Sequence, residues 1–123
     1  MMETANELSV KGYAPYLIPY GGSNPIGAMG YVAAMEELME QAQQMNLRFD
    51  RIVFASSSSG TQAGLVVGAK ATDYTGQVLG ISVDEKRGDL QAKVAKLATE
   101  TAAHLGQIMK FAPGSLFRFP SLM

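Results

Sequence analysis

Ten residues near the middle of the chain, Ala55 to Gly64, constrain the fold more than any others. They read Ala-Ser-Ser-Ser-Ser-Gly-Thr-Gln-Ala-Gly and lie between two apolar runs, 51–54 and 65–71. This order predicts a strand, a loop of small residues and a helix. Because the loop residues have little side-chain bulk, several backbone N–H groups can converge on one anion, and the helix adds the positive end of its dipole. The sequence therefore predicts a phosphate-binding loop.

The rest of the chain repeats this alternation of strands and helices, which favours a parallel sheet with right-handed crossovers. We therefore expect residues 1–106 to form a single α/β domain of three layers, with a short parallel sheet and flanking helices. Strands are predicted at 16–18, 52–55 and 78–83, and helices at 1–12, 25–45, 60–71 and 89–106.

Composition excludes several classes of function. The chain has 123 residues, 47% hydrophobic and 17% charged, with a formal net charge of −1, so it has enough residues for a core and no basic surface for nucleic acid. It contains no cysteine, and the single His104 cannot form a metal site alone. No apolar run approaches the roughly 18 residues of a membrane span, and the first residues do not read as a signal peptide. We expect a cytoplasmic protein with no metal, no nucleic-acid partner and no membrane partner.

Residues 107–123 depart from the alternation. They are rich in phenylalanine and leucine and are interrupted by Pro113, Gly114 and Pro120. We expect an apolar C-terminal tail outside the domain pattern. It either folds over its own domain or docks on a second subunit.

Other phosphate and nucleophile motifs are absent around the serine loop. No Gly-Lys-Ser/Thr follows its glycine, which excludes a mononucleotide P-loop. No Gly-x-Ser-x-Gly is present, which excludes a hydrolase nucleophile elbow. Asp84 follows the last predicted strand, about where an acid that binds ribose would lie, so a nucleotide site remains an alternative although Gly-x-Gly-x-x-Gly is missing.

A second loop, Gly21-Gly22-Ser23-Asn24, also follows a predicted strand and precedes a helix. One interpretation is a turn in which Asn24 caps a helix that begins at Pro25. The other is a loop that lines the same cleft as the serine loop and offers Ser23 and backbone N–H groups to a carboxylate. Tyr20, just past the predicted strand, is a further candidate for the cleft.

Together these motifs resemble one continuous segment of a known family. The residues that carry the resemblance are Pro15-Tyr16-Leu17-Ile18-Pro19, the stretch from Gly21 to Val32, the Ser56–Gly64 loop and Leu79-Gly80-Ile81-Ser82-Val83. Over about residues 7–106 they are similar to the D-cysteine desulfhydrase and 1-aminocyclopropane-1-carboxylate deaminase family, pyridoxal-phosphate enzymes of fold type II. The resemblance implies that the cofactor phosphate is bound by Ser57, Ser58, Ser59, Gly60 and Thr61, and that Ser23 and Asn24 lie on the substrate side.

Two motifs of that family are absent from these residues. They are the Gly-Asn-Lys motif, whose lysine forms a Schiff base with the cofactor, and the Gln-Ser-Asn-His motif, whose asparagine stacks on the cofactor ring. The resemblance therefore implies a truncated domain with no catalytic residue, with weak or absent pyridoxal-phosphate binding, and inactive alone. Phosphate-ligand binding or a structural role would remain. The alternative is part of a working carbon–sulfur lyase or deaminase, which is either completed by a separate chain that carries the lysine or is the full-length enzyme from which this segment was cut.

The burial of apolar surface leads to a further expectation. The sheet and helices of such a segment would pack against parts of the family fold that are absent from these residues. Their apolar faces need cover, because large exposed apolar patches and free sheet edges favour association. We therefore expect a homo-oligomer, with a dimer favoured.

Overall fold

The structure, a computed structural model, describes residues 1–111 and residue 113. Within this part, helices and strands alternate after the first helix, which confirms the α/β class. The helices are α1 Met2–Val10, α2 Pro25–Gln44, α3 Gly60–Ala71 and α4 Arg87–His104, and the strands are β1 Arg51–Ser56 and β2 Gln77–Ser82.

The two strands form a parallel pair. Arg51 lies opposite Gln77 at one end and Ser56 opposite Ser82 at the other, with α3 as the connection between them. The Val83 amide extends the pairing by donating to the Ser56 carbonyl at 3.2 Å. Because the strands run in the same direction, the loops that follow them emerge at one edge of the sheet.

The strand predicted at 16–18 does not form, and that prediction was wrong. Tyr16 and Ile18 are both about two-thirds exposed (68% and 65%), and no strand of the described residues lies beside them. Pro15 and Pro19 flank the run, and prolines cannot donate to a ladder of hydrogen bonds. An apolar run of this length forms a strand only beside another strand, and within the described residues it pairs with neither β1 nor β2.

The main core lies where α2, α3 and α4 pack together over one face of the sheet. Its fully buried side chains include Met35 on α2, Val67 on α3, and Leu90 and Val94 on α4. On the sheet, Ile52, Phe54 and Val78 contact this core.

Three glycines, four residues apart on one side of α3, let α2 approach closely. A Cβ atom at Gly64 would lie 2.3 Å from the Ala28 carbonyl oxygen, and one at Gly68 would lie 2.6 Å from Met35 Cβ. Gly60, at the start of the same line, lies against Ser23. The glycines thus bring the residues before α2 up to the first turn of α3.

Three helix ends follow local sequence signals. Asn24 caps α2, because its Oδ1 accepts the Gly27 amide at 2.8 Å, and Pro25 occupies the first helical position. Gly12 and Gly106 have positive φ angles of 87° and 75° just beyond α1 and α4. These positions agree with the caps and stops that the sequence predicts.

Two residues of the predicted tail, Met109 and Phe111, contact the core. Phe111 is buried, its amide donates to Thr99 Oγ1 at 3.4 Å, and Lys70 Nζ lies 5.1 Å from the centre of its ring. Residue 112 and residues 114–123 lie outside the described residues, so the packing of the remaining tail stays a prediction. Within the described part, no helix has the length and apolar character that a membrane span requires.

Candidate functional site

The serine loop lies at the carboxyl edge of the sheet, where β1 turns into α3. Ser59 has a left-handed φ of 76°, a conformation that reverses the chain sharply between strand and helix. Ser59 and Gly60 are buried, whereas Ser57, Ser58 and Thr61 are half-buried. The residues predicted to bind phosphate therefore form a compact turn that remains partly open to solvent.

The first turn of α3 presents backbone donors. The Gly60 amide donates to Ser23 Oγ at 3.1 Å. Within residues 1–111, the amides of Thr61 and Gln62 have no acceptor, as expected for the first N–H groups of a helix. With the positive end of the helix dipole, they form a donor set that suits an anion.

The second predicted loop lies directly against the first. It contains a short 3₁₀ turn, Tyr20–Gly22, in which Gly21 has a φ of 67°. A Cβ atom at Gly21 would lie 2.1 Å from Ser58 Oγ, so only glycine allows this approach. The structure therefore brings Ser23 to the serine loop.

The other residues of the second loop are placed differently. Asn24 uses Oδ1 to cap α2, so this atom has a local partner. Tyr20 is 80% exposed and has no hydrogen bond from its side chain within the described residues. The role of Asn24 on the substrate side stays a prediction.

Asp84 lies beside the serine loop. Its Oδ2 accepts the Ser57 hydroxyl at 2.9 Å, a contact that joins the loops after β1 and β2. A carboxylate at this position repels a phosphate placed near Ser57. An anion is therefore better placed towards Ser58, Ser59, Gly60 and Thr61 than towards Ser57.

The loop after β2 is held by its own hydrogen bonds. Ser82 Oγ donates to the Glu85 carbonyl at 2.6 Å, and Lys93 Nζ contacts both Glu85 carboxylate oxygens at 2.7 and 2.8 Å. The hydrogen bond to Glu85 raises the pKa of Lys93 above its ordinary value. Lys93 is thus a cation paired with Glu85.

Three residues behind the loop were missed by sequence reasoning. Ser56, Gln62 and Gly80 are buried, and the Ser56 hydroxyl donates to Gln62 Oε1 at 2.9 Å. The sequence signal that could have revealed them was Gln62, a glutamine among small and apolar residues in the first turn of a predicted helix. The spacing of Gly60, Gly64 and Gly68 was a second missed signal, for the close approach of α2 to α3, since residues four apart share one face of a helix.

Within the part that the structure describes, no group of three or more histidine, aspartate or glutamate side chains could hold a metal ion.

The chain is similar to known proteins over most of its length. The chain is 38% identical over 117 residues to D-cysteine desulfhydrase of Serratia proteamaculans, covering 95% of this chain and 35% of that protein. It is 40% identical over 104 residues to a Pyrococcus furiosus protein provisionally named 1-aminocyclopropane-1-carboxylate deaminase, covering 85% of this chain and 32% of that protein. A crystal structure of an ACC deaminase homologue superposes with a TM-score of 0.81 at 38% identity, covering 91% of this chain and 34% of the other.

The chain resembles one segment of the D-cysteine desulfhydrase and 1-aminocyclopropane-1-carboxylate deaminase family. This confirms the resemblance that the loop motifs indicate. The chain spans about a third of the length of the family members it matches. No protein-family model matches it.

Proposed function

We propose that this chain supplies the phosphate-binding segment of a pyridoxal-phosphate enzyme of this family. We further propose that these 123 residues by themselves bind a phosphate-bearing ligand without turning over a substrate. The observation that carries the proposal is the pair of backbone amides of Thr61 and Gln62 in the first turn of α3, which have no acceptor within residues 1–111.

The loop residues fit a phosphate group. Ser23 Oγ already provides the Gly60 amide with an oxygen at 3.1 Å, the kind of atom that a phosphate would offer. The neighbouring first-turn amides have no acceptor within residues 1–111. Ser58, Ser59, Gly60 and Thr61 would hold the phosphate, with hydroxyls adding to the backbone donors.

Pyridoxal phosphate, when bound, supplies an electron sink for a carbanion at the substrate α-carbon. The residues of this chain would hold its phosphate and orient the group towards the Ser23 loop. Enzymes of this chemistry also need a lysine amine at the cofactor. Lys93 is paired with Glu85 and Lys70 lies over Phe111, and no lysine within residues 1–111 hydrogen-bonds to either loop. Turnover would therefore require an amine from elsewhere.

Calorimetric titration with pyridoxal phosphate, pyridoxal and inorganic phosphate tests the binding. We expect the two phosphate ligands to bind and pyridoxal not to bind. Thr61→Val should weaken pyridoxal-phosphate binding about tenfold, because it removes one hydroxyl donor. Thr99→Val, which changes a half-buried threonine of α4 outside the site, is the matched control. Equal affinity for pyridoxal and pyridoxal phosphate would contradict the proposed phosphate site.

The proposed lack of turnover has its own test. The chain is incubated with pyridoxal phosphate, treated with borohydride and digested, and its peptides are examined by mass spectrometry. We expect no cofactor on any lysine, and no sulfide from D-cysteine or ammonia from 1-aminocyclopropane-1-carboxylate. A lysine adduct together with product release would show that the 123 residues are a working enzyme.

A nucleotide site is a second candidate, favoured by the contact between Ser57 and Asp84 at 2.9 Å. The two candidates predict different effects of Asp84→Ala. If Asp84 binds ribose, this substitution weakens nucleotide binding and leaves phosphate binding unchanged. If the loop binds phosphate alone, it strengthens phosphate binding, because a repelling charge is removed. Titration with inorganic phosphate and a mononucleotide distinguishes them.

A further inference from the structure

We propose that Gln62 is a positioning residue of the phosphate loop and acts through Ser56. This inference rests on the proposed phosphate site, whose residues it assigns a support. Ser56 is the last residue of β1 and Gln62 lies in the first turn of α3, so one of the two residues lies at each end of the loop.

A buried hydrogen bond connects these two residues. Ser56 Oγ donates to Gln62 Oε1 at 2.9 Å, and both side chains are buried. Water does not compete for a buried hydrogen bond. The bond between Ser56 and Gln62 therefore restrains the two ends of the loop strongly. The loop residues between them, Ser57 to Thr61, therefore span a fixed distance.

Gly80 on β2 provides the space for Gln62. A Cβ atom at Gly80 would lie 2.3 Å from Gln62 Oε1 and 3.0 Å from Ser56 Cβ. Phe54 lies opposite Gly80 in the sheet and Ser56 lies two residues further along β1. The glutamine side chain is thus enclosed by the end of β1, the centre of β2 and its own helix.

The second polar atom of Gln62 indicates that stability alone does not explain this residue. Its Nε2 is buried and has no hydrogen-bond partner within the described residues. A buried donor without a partner is unfavourable, and an apolar side chain of similar shape would avoid it. Glutamine provides an acceptor for the Ser56 hydroxyl at the base of the loop, which methionine would not provide.

The test compares Gln62→Met, Ser56→Ala and the double variant with the unaltered chain. Dissociation constants for inorganic phosphate are measured well below the melting temperature, and ¹⁵N relaxation reports the order of the Ser57–Gly60 backbone. Thr101→Val is the control, because Thr101 is also fully buried and its hydroxyl bonds within α4, away from the loop.

We expect each single variant to weaken phosphate binding about tenfold, the value of one hydrogen bond, and to lower the order of the loop. The double variant should lose no more than either single variant, because all three remove the same bond. Thr101→Val should lower the melting temperature without changing either loop readout. Unchanged affinity and unchanged loop order in Gln62→Met would overturn the inference.

The two readouts separate this inference from the proposed function. If the unaltered chain does not bind phosphate and Gln62→Met still loosens the loop, the positioning role stands and the phosphate site is wrong. If the unaltered chain binds phosphate and no variant changes either readout, the phosphate site stands and Gln62 does not position it.

Discussion

Ser23 shows how one side chain joins the two loops of the candidate site. Its hydroxyl oxygen accepts the Gly60 amide at 3.1 Å, so it occupies a donor that a phosphate would also use. Ser23→Ala should lower the free energy of unfolding by about 1 kcal/mol, because the amide loses its acceptor. The same change should strengthen phosphate binding several-fold, because the ligand no longer displaces Ser23.

Chemical denaturation and phosphate titration of Ser23→Ala measure both effects. Ser9→Ala is the control, since Ser9 is an exposed serine on α1. Weaker phosphate binding by Ser23→Ala would contradict this expectation and show that Ser23 is itself a phosphate ligand.

At the scale of elements, the contact between α2 and α3 depends on glycine. A Cβ atom at Gly64 would lie 2.3 Å from the Ala28 carbonyl oxygen, a backbone atom that cannot rotate away. Gly64→Ala should therefore lower the free energy of unfolding by about 1–3 kcal/mol, as overpacking does.

Gly30 provides the control for that substitution, since it also lies in a helix and a Cβ atom there meets nothing within 4 Å. Gly30→Ala should raise the free energy of unfolding by about 0.5–1 kcal/mol, because alanine loses less backbone entropy on folding. Urea denaturation of both variants measures the difference. Similar stability of the two variants would show that α2 and α3 can move apart without cost.

For the whole molecule, the exposed apolar surface supports self-association. Val53, in the middle of β1, is 58% exposed on the face opposite the main core, and within the described residues β1 has a strand on one side only. We propose that a second copy of the chain covers this surface, because free edges and apolar sheet faces pair readily. Sedimentation velocity should show a dimer at high micromolar concentration.

Val53→Lys should shift the sedimentation profile to the monomer, because it places a charge within that surface. Val10→Lys is the control, since Val10 is exposed at the end of α1. A native chain that sediments as a monomer throughout this concentration range contradicts the proposed dimer.

Features that depend on neighbouring residues could be predicted well. The cap at Asn24, the start of α2 at Pro25 and the stops at Gly12 and Gly106 agree with the structure, because such signals act within one helical turn. The strand at 16–18 could not be predicted reliably, because a strand needs a partner that its own residues do not specify.

The sequence by itself determined the alternation of helices and strands from α2 onward, the two small-residue loops and the family resemblance, because periodicity and turn residues act locally. Only the tertiary structure decided that Ser23 meets Gly60 and that Ser56 meets Gln62. These contacts join residues from separate elements or from the two ends of a loop. They arise from the close packing of α2 on α3 and of Gln62 over Gly80. In each case a glycine has no side chain, and the neighbouring element can therefore approach closely.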